Sequence, residues 1–228
     1  MWDVGTGKVK FTIQGDPPSL EQERWVTCAA FSPDGRILAT ASFDKTVRLW
    51  SLDTGKTVAV LPGHRNLLWC VAFSPDGKTV ASGGYDEVVR LWDVAAKKAV
   101  ATLEGENAIG PGQGVFAVAF SPDGQLLATV VNEGVKVWDL AAKRLVYFLK
   151  GKRCGCLAIS PDGKLLAWPA SDNLVRLTDL ATGKMKAEWQ AHTDHVRAVA
   201  FSADGKILAT GAADQAIRLW NVPAMIDK

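Results

Sequence analysis

The residues with chemical potential in this chain fall into a few sets. His64, Ser82 and Asp86, and further on His192, Thr210 and Asp214, are the residue types of acyl transfer: an imidazole base, a hydroxyl nucleophile and a carboxylate. A catalytic triad needs an exposed nucleophile with oxyanion donors beside it. Here the set is repeated along the chain, and each copy carries a tryptophan, Trp92 or Trp220, a pattern suited to packing. His192 and His195, with Cys154 and Cys156, are metal-ligand types, but structural zinc sites space their paired cysteines more widely and close a set of four, and these pairs belong to different repeats. The glycine-rich stretch Glu104 to Gly114 lacks the Lys-Ser/Thr ending and the following helix of a phosphate cradle, and reads as a connection open to a partner. An enzyme would need acid or base groups at a channel mouth, where only Asp194 and His195 are placed. The sequence therefore predicts no catalytic residue, no metal and no cofactor.

These sets are positioned by a repeat. Phe31-Ser32-Pro33-Asp34-Gly35 returns at Phe73 to Gly77, Phe120 to Gly124, Ile159 to Gly163 and Phe201-Ser202-Ala203-Asp204-Gly205, about 40 residues apart. Val71-Ala72-Phe73 leads into Ser-Pro-Asp-Gly, where proline fixes φ and glycine follows, so the chain reverses in a type I turn. Thr79 to Ser82 is then a short strand. Val88 to Trp92 alternates inward and outward, and Lys98 to Leu103 gives a fourth strand. Helical periodicity over ten or more residues is absent. Four short antiparallel strands per unit, in tandem, predict an all-β protein of radial blades that leave only short edges.

The unit resembles the WD-repeat family. Gly63-His64, Ser74 to Lys78, Ser82, Asp86 and Arg90 to Asp93 match the family pattern in order, and the resemblance covers almost the whole chain. It implies a single WD-repeat β-propeller over residues 1–228 with five four-stranded antiparallel blades, at about 24–62, 66–104, 114–150, 153–190 and 195–222. The last copy ends at Leu219-Trp220-Asn221 without a fourth strand, and the N-terminal strand 8–13 is expected to complete it and close the ring. Five is low for the family, so a fragment of a longer protein, or a ring completed by a second copy, stays open beside a closed monomer. In the family a buried His, Ser or Thr, Asp and Trp form a hydrogen-bond chain within a blade. The second blade matches with His64, Ser82, Asp86 and Trp92, and the fifth with His192, Thr210, Asp214 and Trp220. The first blade keeps Thr40, Asp44 and Trp50 but no histidine. The third keeps Trp138 behind a shortened turn at Asn132-Glu133, and the fourth has Trp168 and Thr178 where serine and tryptophan are expected, which predicts that these two blades are the least rigid.

The resemblance further implies that the loops before each first strand and the turns holding the aspartates gather on one partner-binding face. Phase places Trp25, Leu67, Trp69, Phe116, Arg153, His195 and Arg197 at the strand beginnings, and Phe43 and Tyr85 before their turn aspartates. Trp25, Phe43, Trp69, Tyr85, Phe116 and Arg197 are the expected partner contacts, because large rigid rings with arginine at the edge bury area at low entropic cost. The expected function is a non-catalytic protein-protein interaction scaffold that binds a protein or peptide. The second reading is an architectural or sensory module of a larger assembly.

Composition agrees with that class. With 228 residues, 48% apolar and 22% charged, the chain suits one globular domain with a sizeable core. Its net charge of +2, with the basic residues scattered, lacks the basic footprint of a nucleic-acid binder. No apolar run is long enough to span a bilayer, and Met1 to Lys10 has no signal-peptide core, so the expectation is a cytoplasmic protein without membrane partners. Cys28 and Cys70 sit in apolar runs and read as reduced, structural thiols. If residues 8–13 close the ring, deleting residues 1–14 lowers the thermal midpoint, and an unchanged midpoint contradicts closure.

Overall fold

The computed structural model describes residues 2, 4–10, 12–13, 25–104, 114–151, 155–170 and 173–226. Their strands form five antiparallel sheets, each running in simple sequence order. The first comprises β1 (Val26–Phe31), β2 (Ile37–Ser42), β3 (Val47–Ser51) and β4 (Thr57–Leu61). The second comprises β5 (Leu68–Phe73), β6 (Thr79–Gly84), β7 (Val89–Asp93) and β8 (Lys98–Leu103). The third holds β9 (Val115–Phe120), β10 (Leu126–Val131), β11 (Gly134–Asp139) and β12 (Arg144–Lys150). The fourth holds β13 (Ala158–Ile159), β14 (Leu165–Pro169), β15 (Leu174–Asp179) and β16 (Met185–Gln190). The fifth has β17 (Val196–Phe201), β18 (Ile207–Ala212) and β19 (Ile217–Asn221), followed by the five-residue helix α1 (Val222–Ile226).

The all-β propeller architecture expected from the repeat is thus present as five blades. The fifth sheet has three strands among the described residues. Of the segment expected to complete it, Val9 makes an isolated antiparallel bridge with Trp2, and Phe11 lies outside the described residues. No helix among the described residues is long and apolar enough to cross a membrane.

The repeated turn folds as its residues dictate. In blade two the Gly77 amide donates to the Ser74 carbonyl at 2.9 Å, and Gly77 has φ +70°, a conformation that favours glycine. The Ser74 hydroxyl donates to Asp76 at 2.6 Å while its oxygen accepts the Thr79 amide at 2.9 Å, so side chains take up the turn's polar groups. The other four turns repeat the serine–aspartate bond at 2.5–2.6 Å. These turns also stack. A Cβ on Gly77, Gly124, Gly163 or Gly205 would lie 3.4, 3.7, 3.4 or 3.5 Å from the Cδ of Pro33, Pro75, Pro122 or Pro161, the proline of the preceding turn.

Strand alternation gives each blade two apolar faces, and the core is divided among the seams between blades. The face toward the next blade, here termed trailing, carries Ala39, Ala41, Val47 and Leu49 in blade one. It is covered by Leu68, Val71, Val80 and Trp92 on the leading face of blade two. The same scheme joins blade two to three through Ala81, Val89 and Leu91 against Val115, Leu127 and Trp138. It joins three to four through Ala128, Val135 and Val137 against Leu166 and Trp168, and four to five through Ala167, Val175 and Leu177 against Val196, Val199 and Leu208. Each Val or Leu so buried contributes about 1.5–3 kcal/mol. The first strands β1, β5 and β9 pack side by side at the inner edges of their sheets.

Gly83 shows how tight these seams are. A Cβ on it would come 2.4 Å from Cγ1 of Val115, whereas at the matching position of blade five, Gly211, no described atom lies within 4 Å. Gly83→Ala is therefore expected to cost about 1–3 kcal/mol by overpacking, and Gly211→Ala to be near neutral, as measured by urea unfolding.

Candidate functional site

Inside each blade a tryptophan indole N–H is held by a hydroxyl. Trp50 donates to Thr40 at 2.9 Å, Trp92 to Ser82 at 2.8 Å, and Trp220 to Thr210 at 2.9 Å. In blades two and five the chain continues as the tetrads predict. The Ser82 hydroxyl lies 2.7 Å from His64 Nε2, and His64 Nδ1 lies 2.8 Å from Asp86; the His192 distances are 2.7 Å to Thr210 and 3.0 Å to Asp214. The carboxylate only accepts, so Nδ1 carries the proton, Nε2 accepts from the hydroxyl, and the hydroxyl oxygen accepts from tryptophan. Every donor in the series then has an acceptor. Blade one lacks the histidine, and its Asp44 instead accepts from Thr46 at 2.7 Å and Arg48 at 2.9 Å.

Blades three and four keep the central bond by other means. In blade three a two-residue hairpin at Asn132-Glu133 shortens the spacing, and Trp138 donates to Thr129 at 3.0 Å, a partner the sequence pattern did not single out. In blade four the residues are exchanged between strands: Trp168 on β14 donates to Thr178 on β15 at 2.8 Å. Trp168 pairs with Arg176 and Thr178 with Leu166, so the two are diagonal neighbours on one face, and exchanging them preserves the contact.

The tetrad carboxylates are tuned by these contacts. Burial works against ionisation of Asp86, but hydrogen bonds from His64 and the Arg65 amide, with the charge of Arg90, outweigh it and hold the carboxyl below its ordinary range. Asp214 is held lower still: desolvation opposes ionisation, and the Thr193 amide, His192 and the Ala216 amide overcome it. Ser82 and Thr210 are buried, so neither hydroxyl is the exposed nucleophile that acyl transfer requires. His192 uses both ring nitrogens inside its tetrad, and among the described residues no group of three His, Cys, Asp or Glu side chains is gathered to hold a metal. Burial pushes the Cys70 thiol well up and that of Cys156 up to about 12, which marks inert cysteines. Cys154, Arg153 and residues 105–113 of the glycine-rich stretch lie outside the described residues.

The structure brings five of the six expected contact residues into one row. Trp25 stacks on Phe43 with ring centroids 5.5 Å apart, Phe43 meets Trp69 edge-on at 5.4 Å, and Trp69 meets Tyr85 at 5.7 Å. Phe116 touches both Trp69 and Tyr85, at 6.4 and 6.1 Å. The row crosses blades one to three, and Gly114 ends against it, since a Cβ there would lie 3.0 Å from Phe116 and 3.1 Å from Tyr85. Trp25 is exposed, and the other four rings are half-buried. Trp69 Nε1 is buried and has no hydrogen-bond partner among the described residues. Arg197, the sixth residue, is exposed on β17 in the fifth blade, outside the row, as are the neighbouring Asp194 and His195.

A bulge aims these residues, and the sequence alone did not reveal it. The register of each full first strand skips one residue: Thr27 between Val26 and Cys28, Trp69 between Leu68 and Cys70, Phe116 between Val115 and Ala117, and Arg197 between Val196 and Ala198. A bulged residue leaves the ladder and re-aims its side chain, which frees Trp69 and Phe116 to turn toward Phe43 and Tyr85. In blade one the bulged Thr27 hydroxyl instead reaches the Leu68 carbonyl of blade two at 2.9 Å.

Comparison with known proteins adds the following. The family model described as WD domain, G-beta repeat matches residues 9–51, 55–93 and 183–221, and that of the anaphase-promoting complex subunit 4 WD40 domain matches residues 118–199. WD repeat and SOCS box-containing protein 1 of Xenopus tropicalis is 41% identical over 68 residues, 29% of this chain and 15% of that protein. The Notchless protein homolog of Arabidopsis thaliana is 62% identical over 34 residues, 15% of this chain and 7% of that protein. The U3 small nucleolar RNA-associated protein 13 of Saccharomyces cerevisiae is 40% identical over 47 residues, 21% of this chain and 6% of that protein. The chain thus spans well under a fifth of the length of these relatives.

Two stability predictions follow from the buried bonds. Thr178→Val is expected to cost about 1–3 kcal/mol by leaving the Trp168 N–H unsatisfied, and pairing it with Trp168→Phe should cost less than the sum, as read by chemical denaturation. Because the folded pKa of Asp86 is depressed, its stabilisation is present above the unfolded value of 3.8 and is lost as pH falls through the folded one. Asp86→Asn should lower the thermal midpoint at neutral pH and flatten its decline on acidification.

Proposed function

The chain belongs to the WD-repeat family, and from that premise we propose that it is a non-catalytic scaffold that binds a protein or peptide across the aromatic row of blades one to three. The observation that carries this reading is the continuity of Trp25, Phe43, Trp69, Tyr85 and Phe116, which come from three blades yet form one set of ring contacts. The buried Trp69 indole N–H has no acceptor among the described residues, as is true of Trp189 outside the row, and within a cluster of rings such a donor is open to a ligand. A bound peptide supplies that acceptor with a backbone carbonyl and packs an apolar side chain against the rings. The reading as a scaffold rather than an enzyme is supported by the buried hydroxyls of the tetrads, each engaged by histidine and tryptophan.

Pull-down from native lysate tests the proposal. Trp69→Ala and Tyr85→Ala should each lose bound partners while keeping the wild-type circular dichroism spectrum, and Arg197→Ala should lose less. Full retention by both aromatic variants would contradict it.

A further inference from the structure

At the end nearest the repeated turns, three of the four seams between blades are closed by the chain's own side chains. Between blades three and four, Tyr147 on β12 packs in the seam with Leu180, and its hydroxyl donates to the Leu180 carbonyl at 2.5 Å. Its ring rests on the backbone of Gly183, where a Cβ would come 3.0 Å from it. Between blades four and five, Ala187 takes the place of the tyrosine, and Met225 of α1 packs into the seam with it. Between blades one and two, Ala59 is the counterpart, and Lys97 reaches back across the seam to the Val58 carbonyl at 3.2 Å.

The seam between blades two and three is built differently. Leu91 pairs with Ala101 as Val137 pairs with Tyr147, so a methyl group stands where the phenol ring does. Leu140 and Leu180 are equivalent, since each donates its amide to the matching carbonyl, Gln125 at 3.0 Å and Lys164 at 2.8 Å. Leu180 is buried, but Leu140 is half-buried. Lys143, the counterpart of Lys97, is exposed and donates to no carbonyl of blade two among the described residues. The result is a cleft of about 550 Å³, with Leu91, Ala101, Phe120 and Leu140 as apolar walls and the exposed Asp123 and Lys143 as charged lining. That volume is typical of a ligand site.

We propose that this cleft binds the tyrosine side chain of a partner polypeptide, with its ring over Ala101 and its hydroxyl donating to the Leu140 carbonyl. Tyr147 is the precedent within the chain, since it makes the equivalent contacts one seam further on. A phenol brings both things the site calls for, an apolar body for the walls and one donor for the carbonyl. Lys143 and Asp123 offer a donor and an acceptor to the peptide groups on either side of the tyrosine, as a polar rim does. The aromatic row lies at the start of β5 and the end of β6, whereas the cleft lies at the end of β5 and the start of β6. The proposal is therefore independent of the row.

The test titrates a capped Gly-Tyr-Gly tripeptide into the isotope-labelled full chain, followed by NMR. Saturable shifts are expected at the amides of Ala101, Leu140 and Lys143. A capped Gly-Phe-Gly tripeptide should bind there about two- to tenfold more weakly, for want of one hydrogen bond. Ala101→Tyr builds the ring of the next seam into this one, and should abolish the cleft shifts while raising the thermal midpoint. Ala101→Leu, a milder filling that keeps the test readable if the tyrosine variant does not fold, should weaken binding several-fold. Absence of saturable shifts in the cleft would overturn the proposal, as would equal binding of the phenylalanine peptide or undiminished binding by a folded Ala101 variant. So would p-cresol binding more tightly than the tyrosine tripeptide, which would mark a site for free phenols. Trp69→Ala should leave the cleft shifts unchanged, so failure here is readable apart from failure at the aromatic row.

Discussion

The buried tryptophan–hydroxyl hydrogen bond is the constraint on which this structure depends. A blade is a thin sheet, and its stability comes from the apolar faces it presses against its neighbours. The indole that fills much of the leading face must bring its N–H into that seam, where an unpaired donor costs about 1–3 kcal/mol. All five blades meet this demand with serine or threonine on the adjacent strand, the bond being buried in blades one to four and partly buried in blade five. The histidine and aspartate of blades two and five extend the same bond and tie the loop before the first strand to the turn after the second.

That constraint also separates the polar residues that serve folding from the proposed contact row. The polar residues with the most suggestive chemistry are engaged inward, with every donor directed at a neighbour. The aromatic row behaves differently: its rings come from strand beginnings and turns, lie half-buried, and leave the Trp69 N–H without an acceptor among the described residues.

Much of this was legible in the sequence, for physical reasons. Ser-Pro-Asp-Gly announces its turn because each residue does a distinct job there, so the repeat and the blade number could be read directly. Phase alone gathered five aromatics that the fold then joins. What sequence could not show was geometry that residue types do not encode. The bulges at Trp69 and Phe116 are visible only in the pairing register. The exchanged Trp168 and Thr178 looked like a loss of the blade's polar partner, yet a cross-strand bond is indifferent to which strand supplies the donor.

The claim that one buried bond staples every blade is tested most directly by hydrogen exchange of the tryptophan indole N–H groups, followed by NMR. The account predicts slow exchange for Trp50, Trp92, Trp138, Trp168 and Trp220, against fast exchange for the exposed Trp2 and Trp25. Exchange of Trp168 or Trp138 as fast as that of Trp25 would contradict it.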